Sequence, residues 1–186
     1  SPITPAADVL PNLARHAGIG GRTLQLEDEM AAVCAALGAS YAGGLGITST
    51  SGPGLALKSE AIGLAVSLEL PLIVLDVQRA GPSTGLPTKV EQSDLLQACY
   101  GRHGEAPLPV IAASGPGDAF WTMIEAVRIA IRYMTPVIVL TDGFLAHSSQ
   151  PWNIPQLENI PQTPVKFARD ADNFAPSAPH DALPRP

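Results

Sequence analysis

The most constraining feature of the chain is a short apolar run at residues 72–77, LIVLDV, which only Asp76 interrupts. The run is rich in β-branched residues, and turn-forming residues bound it on both sides. Such a run is typical of a strand buried on both faces, as the strands of parallel sheets are. The sequence therefore predicts a parallel sheet, with Arg79 placed just beyond the end of this strand.

Strand-like and helix-like segments alternate along the rest of the chain. The predicted strands are residues 23–26, 45–48, 72–77, 110–113 and 136–140. The predicted helices are residues 8–16, 28–41, 55–68, 92–100 and 118–133. This alternation predicts an α/β fold, a doubly wound and mostly parallel sheet with helices on both faces.

Proline usage separates the end of the chain from the rest. Eight of the 19 prolines lie in the last 36 residues, which show no helical or strand periodicity. We therefore predict a folded domain over residues 1–148 and an extended tail, or linker to a further domain, over residues 149–186.

Composition excludes several classes of protein. The chain is 46% hydrophobic and 15% charged, and its net charge is −6. The acidic balance argues against nucleic-acid binding, and no apolar run reaches the roughly 18 residues of a membrane helix. The low charge suggests a surface buried against another chain. Cys34 and Cys99 have no metal or redox spacing and are expected to be reduced core residues of a cytoplasmic protein.

Polar and glycine-rich segments follow the predicted strands. They are residues 27–29, 48–54, 79–89, 114–117 and 141–143. Ligands of open parallel sheets bind outside the carboxyl ends of the strands, so these segments are the candidate site. Glu29 either complements a helix dipole or is a carboxyl group held among apolar neighbours. Arg79 either pairs with Glu91 or Asp94, or grips a substrate carboxylate.

Two glycine motifs partly match motifs of other enzyme classes, a nucleotide-binding loop and the nucleophile elbow of a hydrolase. Residues 48–54, TSTSGPG, lack the complete spacing of a nucleotide-binding loop, and their glycines more plausibly admit a flat ligand. Residues 81–85 match GxSxG, and Asp142 and His147 follow in the order of a hydrolase triad. A nucleophile elbow must run directly from strand to helix, however, and Pro87 prevents this.

Several segments together resemble a known family. They are PITP at 2–5, LEDEMAA at 26–32, TSTSGPG at 48–54, DVQRAGPSTGLPTKVEQSDL at 76–95, YGRHGEAP at 100–107 and TPVIVLTDGFL at 135–145. The chain resembles the α subunit of 2-oxoacid:ferredoxin oxidoreductases, nearest to the 2-oxoglutarate (KorA-type) branch. The resemblance covers residues 2–186 and corresponds to the thiamine-pyrimidine (PYR) domain of that subunit.

The resemblance implies roles for individual residues. Glu29 would hydrogen-bond N1′ of the thiamine diphosphate aminopyrimidine and so activate the cofactor. Arg79 would bind the carboxylate of the 2-oxoacid, and Thr4 would assist it. The wall beside the cofactor would include Ser51, Gly52 and Gly54, with Thr50 a weaker candidate.

The resemblance also implies a reaction and partners. The reaction is the oxidative decarboxylation of a 2-oxoacid to acyl-CoA and CO₂, with electrons passed to ferredoxin. Two lone cysteines cannot hold a cluster, and the sequence shows no acidic motif of the kind that would bind Mg²⁺ and the diphosphate. The [4Fe-4S] cluster and Mg²⁺ are therefore expected on a β subunit, in an αβ pair doubled into a heterotetramer.

Three questions stay open at this level. The 2-oxoacid is undetermined, although Lys89 and Arg102 are available for the second carboxylate of 2-oxoglutarate, and the role of His103 is open. The chain could belong to a non-oxidative thiamine-dependent decarboxylase. It could also be a catalytically silent scaffold, against which the presence of Thr4, Glu29 and Arg79 argues.

Overall fold

The computed structural model describes residues 1–165 except 17 and 19. Its strands are β1 (Gly46–Thr50), β2 (Leu72–Gln78), β3 (Val110–Ala112) and β4 (Pro136–Asp142). Its helices are α1 (Val9–Ala14), α2 (Glu29–Tyr41), α3 (Gly52–Ser67), α4 (Leu95–Tyr100), α5 (Pro116–Tyr133) and α6 (Gly143–His147). Short 3-10 turns lie at Ala6–Asp8 and Leu157–Asn159.

The four strands form one parallel sheet in the order β1-β2-β4-β3. The central strands β2 and β4 are buried along almost their whole length because helices cover both of their faces. One face packs against α2, α3 and α4, and the other packs against α5. The predicted doubly wound α/β fold is confirmed.

Helix α3 begins earlier than the sequence suggested, at Gly52 and not at Leu55. Pro53 occupies the first turn, where its missing N–H has no helical acceptor to lose and its fixed φ suits the helix. The start of α3 therefore lies directly after β1, so its first turn reaches the carboxyl edge of the sheet.

Two other sequence-based expectations were wrong. Residues 23–26 do not form a strand, because no neighbouring strand pairs with them in the described structure. Cys34 and Cys99 are free, as expected, but Cys34 is exposed and Cys99 only half-buried, so neither is a core residue.

The segment after α6 returns to the body of the domain. Trp152 packs against Phe120 of α5, with 5.1 Å between ring centroids. Residues 166–186, the remainder of the predicted tail, lie outside the described residues. The boundary at residue 148 stays a prediction. No helix in the described part of the chain has the length and apolarity to cross a membrane.

Candidate functional site

A cleft of about 390 Å³ opens at the carboxyl edge of the sheet. The N-terminal segment, the starts of α2 and α3 and the loop after β2 surround it. Its lining is Pro2, Ile3, Thr4, Glu29, Pro53, Gly54, Leu57, Arg79, Thr84 and Pro87. The cleft thus unites four of the predicted site residues, Thr4, Glu29, Gly54 and Arg79, although they are far apart in sequence. Ser51 and Gly52 are not part of this lining.

Glu29 is the first residue of α2, and its side chain is half-buried at the cleft wall. The preceding residue, Asp28, caps the helix by accepting a hydrogen bond from the Ala31 N–H at 2.7 Å. The Ser1 hydroxyl donates to Glu29 Oε1 at 2.8 Å. The cap fixes where α2 begins, and so it fixes where the Glu29 carboxylate enters the cleft.

Arg79 is buried, with only 6% of its surface exposed. Its Nη1 donates to the Thr4 carbonyl at 2.7 Å, while its Nε has no partner in the described structure. It forms no ion pair with Glu91 or Asp94 within the described ranges, where the salt bridge found joins Arg128 to Glu125. A buried guanidinium without a carboxylate is costly unless an anion reaches it. Arg79 therefore brings to the cleft a buried positive charge that has no carboxylate partner among the described residues.

Thr4 and Ser51 organise this part of the cleft through the main chain. The Ser51 hydroxyl is fully buried and bonds to the carbonyls of Val77 and Thr4. It therefore ties the N-terminal segment to the ends of β1 and β2. The Thr4 carbonyl, in turn, directs the Arg79 guanidinium.

Gly54 is required by packing inside the domain. A Cβ atom at this position would lie 2.1 Å from Thr50 Oγ1 and 2.7 Å from Glu29 Cγ. Gly52 is similarly crowded, since a Cβ there would lie 2.5 Å from Asp94 Oδ1. Gly54 therefore lets α2 and α3 approach closely enough for Glu29 to overlie the start of α3, whereas Gly52 leaves room for Asp94.

Lys58 is a functional candidate that the sequence interpretation missed. It lies on the buried face of α3, is fully buried, and donates from Nζ to the Glu29 carbonyl at 2.8 Å. Burial lowers the pKa of Lys58 to about 8, and the nearby charges of Glu29 and Asp28 oppose this shift. Its spacing between Leu55 and Ile62, both buried on α3, was the signal that could have revealed it.

Other candidate residues lie away from this chemistry. Arg102 donates to the carbonyls of Ala98, Cys99 and Ala106, so it stabilises the end of α4. Lys89 and His103 are exposed. The GxSxG segment forms a turn and not the strand-to-helix elbow of a hydrolase. Asp142, the acid of that possible triad, instead accepts hydrogen bonds from the Leu145 N–H and from the Gln92 side chain.

Fold and site together define a ligand-binding α/β domain whose cleft presents one carboxylate and one buried guanidinium. Residues 2–184 match the family model of the pyruvate flavodoxin/ferredoxin oxidoreductase, thiamine diphosphate-binding domain. The chain belongs to this family, and the predicted thiamine-diphosphate-binding fold is confirmed.

Individual relatives agree with the family. The 2-oxoglutarate oxidoreductase subunit KorA of Mycobacterium tuberculosis is 58% identical over 95% of this chain and 27% of that protein. The 2-oxoglutarate synthase subunit KorA of Archaeoglobus fulgidus is 42% identical over 86% of this chain and 46% of that protein. The chain therefore spans less than half the length of either relative.

A solved structure shares the fold. It is the 2-oxoglutarate:ferredoxin oxidoreductase from Magnetococcus marinus with 2-oxoglutarate, coenzyme A and succinyl-CoA bound. The TM-score is 0.87 at 47% identity, over 90% of this chain and 29% of that one.

Proposed function

We propose that the chain is the PYR domain of the α subunit of a 2-oxoglutarate:ferredoxin oxidoreductase. The whole enzyme converts a 2-oxoacid and coenzyme A to acyl-CoA and CO₂, and reduces ferredoxin. The observation that carries the proposal is the placement of a buried Arg79, which has no carboxylate partner among the described residues, in the same cleft as Glu29. The relatives named above support the choice of 2-oxoglutarate.

The residues of the cleft fit thiamine diphosphate. Glu29 offers a carboxylate at the wall, and Gly54, which also lines the cleft, lets the Glu29 side chain lie against the start of α3. The bound cofactor would supply a nucleophilic carbon that adds to the 2-oxoacid carbonyl and then stores its electrons. Glu29 would share a proton with the pyrimidine N1′ atom. Ser51 and Gly52, at the start of α3, would support the side of the cleft that Glu29 and Gly54 form.

Arg79 and Thr4 would bind the substrate. The guanidinium of Arg79 would bind the carboxylate while Nη1 stays on the Thr4 carbonyl, and a small shift of the side chain would bring the buried Nε into a two-pronged contact. The Thr4 side chain is exposed at the same wall and would orient the carboxylate. These contacts would fix the reacting carbonyl carbon over the cofactor position.

The remaining cofactors and partners belong to the proposal as well. No group of three or more metal-ligating side chains occurs within the described ranges. We assign Mg²⁺ and the [4Fe-4S] cluster to a β subunit that shares thiamine diphosphate with this chain. The assembly would be a heterotetramer that meets ferredoxin in the cytoplasm, where coenzyme A is available. Residues 149–186 would link the domain over residues 1–148 to the rest of the subunit.

A second substrate class is favoured by one observation. Arg79 is the cation among the described residues that line the cleft, and it can serve one carboxylate. Arg102 is committed to main-chain carbonyls. The second carboxylate of 2-oxoglutarate would therefore need Lys89 or a residue of the β subunit. Pyruvate or a branched-chain 2-oxoacid would need no second cation.

The test is co-expression of the full-length α subunit with its β partner. Anaerobic, coenzyme A-dependent reduction of ferredoxin or a viologen dye would be followed with 2-oxoglutarate, pyruvate and a branched 2-oxoacid. We expect activity with 2-oxoglutarate, and its loss in Glu29→Gln while the complex stays assembled. Activity with another 2-oxoacid alone would change only the substrate. Release of CO₂ without dye reduction would indicate a non-oxidative decarboxylase, and an assembled complex without turnover would refute the proposal.

A further inference from the structure

A carboxyl group lies inside the sheet, where the proposed reaction does not use it. Asp76 is fully buried in β2, and its neighbours in register are Thr50 of β1 and Leu140 of β4. Neither of its carboxylate oxygens has a hydrogen-bond partner in the part of the chain that is described. An ionised carboxylate in this position would be strongly destabilising.

Asp94 supplies the group that faces it. Asp94 directly precedes α4, is only 6% exposed, and has one oxygen, Oδ2, without a partner among the described residues. Its carboxylate abuts Gly52, which lies two residues after Thr50, the register partner of Asp76, and it interacts electrostatically with the Asp76 carboxyl group. Asp76 points to the α4 side of the sheet because it follows Leu72 and Val74, which pack on that face, at alternate positions.

Two adjacent buried carboxyl groups cannot both be ionised. Burial, reinforced by the charge of Asp94, raises the pKa of Asp76 to about 9. Burial also raises the pKa of Asp94, while its hydrogen bond with Asp76 lowers it and the nearby charge of Glu91 raises it. A proton held on one Asp76 oxygen and donated to Asp94 Oδ2 would give two of the three unpartnered oxygens a hydrogen bond.

The pair stands at the base of one loop. We call residues 79–93 the Arg79 loop, since it begins with Arg79 and carries Thr84 into the cleft. Asp76 lies just before this loop and Asp94 just after it. The Asp94 N–H donates to Gln78 Oε1 at 3.0 Å, which joins the same two ends. The Asp94 carboxylate also abuts Gly52 at the start of α3.

We propose that Asp76 and Asp94 share one proton, and that the shared proton closes the base of the Arg79 loop and so holds Arg79 in its substrate-binding position. The two aspartates are positioning residues that act through Arg79. This inference rests on the proposed function in one respect, which is that the ligand of Arg79 is a 2-oxoacid. The shared proton involves only residues of this chain and can be tested without that assumption. Loss of the proton at alkaline pH would place two negative charges at the loop base and drive its ends apart.

The experiment uses the full-length α subunit in its complex. Asp76→Asn keeps a hydrogen-bond donor toward Asp94 but cannot ionise, and Asp94→Ala removes the acceptor. Glu125→Gln, which alters an exposed carboxylate on α5, is the matched control. Infrared difference spectra would detect the carbonyl stretch of a protonated carboxylic acid near pH 7 and its loss at alkaline pH. Steady-state kinetics would give kcat and KM for the 2-oxoacid against pH.

The wild type and Glu125→Gln should show the protonated-acid band, which Asp76→Asn should lack. The kcat/KM of the wild type and of Glu125→Gln should fall about tenfold per pH unit on the alkaline side. Asp76→Asn should keep its KM and lose this alkaline limb. Asp94→Ala should raise KM about tenfold with little change in kcat. An identical band, or an identical alkaline limb, in wild type and Asp76→Asn would overturn the proposal. If no 2-oxoacid is turned over, the proposed function fails, and the infrared comparison still decides whether the proton is shared.

Discussion

Replacement of Lys58 by methionine separates the charge of this residue from its packing. Methionine fills a similar buried volume beside Glu29 but carries no ammonium group. The pKa of Lys58 lies at about 8 in the folded chain, against about 10.4 for a free lysine. At ~1.4 kcal/mol for each tenfold change, burial disfavours the charged form by about 3 kcal/mol. Methionine removes this penalty.

The substitution also removes a hydrogen bond. The charge-assisted bond from Lys58 Nζ to the Glu29 carbonyl is worth about 1.5–3 kcal/mol. The two contributions oppose each other and are similar in size. We therefore expect Lys58→Met to change the free energy of unfolding by less than about 2 kcal/mol near neutral pH. Lys58→Ala should be about 2–5 kcal/mol less stable than wild type, because it also leaves a cavity.

The dependence on pH gives the sharper test. Between about pH 8 and pH 10.5 the unfolded chain keeps the Lys58 proton that the folded chain has lost, so wild-type stability rises with pH in this window. The methionine variant lacks this increase. Between about pH 7 and about pH 9.5 the wild type should therefore gain about 2 kcal/mol of unfolding free energy relative to Lys58→Met.

Urea unfolding followed by circular dichroism measures both effects. Lys89→Met is the matched control, because Lys89 is exposed and its loss should leave stability and its pH dependence unchanged. A difference between Lys58→Met and wild type that stays flat with pH would refute the idea of a buried charge. In the assembled enzyme, Lys58→Met should lower kcat/KM about tenfold, because Glu29 loses its main-chain tether.

Three further predictions concern the cleft. Gly54→Ala should reduce kcat/KM at least about tenfold, because its Cβ would displace Glu29 or Thr50. Gly63→Ala is the control, because a Cβ atom at Gly63 would meet no atom within 4 Å. Its stability should equal that of wild type or be about 0.5–1 kcal/mol higher. Equal losses in Gly54→Ala and Gly63→Ala would count against this interpretation. Arg79→Lys should raise KM for the 2-oxoacid about 10-fold to 100-fold, because it loses the planar fork, and an unchanged KM would remove Arg79 from the substrate site. The chain without the proposed β partner should bind thiamine diphosphate weakly by calorimetry and show no turnover, and substantial turnover would contradict the proposed shared site.

The sheet could be predicted because its signals are local. The apolar runs at residues 72–77 and 136–140 read as buried strands, and both are central in the sheet. The start of α3 was misplaced because Gly52 and Gly54 are usual turn residues, whereas here Pro53 opens the helix. Residues 23–26 were misread because strand formation requires a partner strand, which local sequence cannot supply.

The site was predictable to the extent that its residues follow strands or begin helices. Arg79 lies at the carboxyl edge of the sheet because it follows β2, and Glu29 meets the same cleft as the first residue of α2. The buried ionisable groups were not predictable in the same way. Lys58 bears a charge that sequence patterns assign to solvent, and the contact of Asp76 with Asp94 depends on how the loop between them closes.

The crowding at Gly54 bears on how descent and activity are inferred for other members of this family. The atoms that exclude a side chain there belong to Thr50 and Glu29 of the same domain, and not to a ligand. A descendant that had abandoned catalysis would still be under selection to keep the glycine for as long as it folded this way. If Arg79 binds an anion as proposed, it would be free to change once catalysis was lost, because no ion pair within the described ranges holds it. Under that proposal, retention of the arginine, rather than of the glycines, would distinguish an active lineage from a silent one.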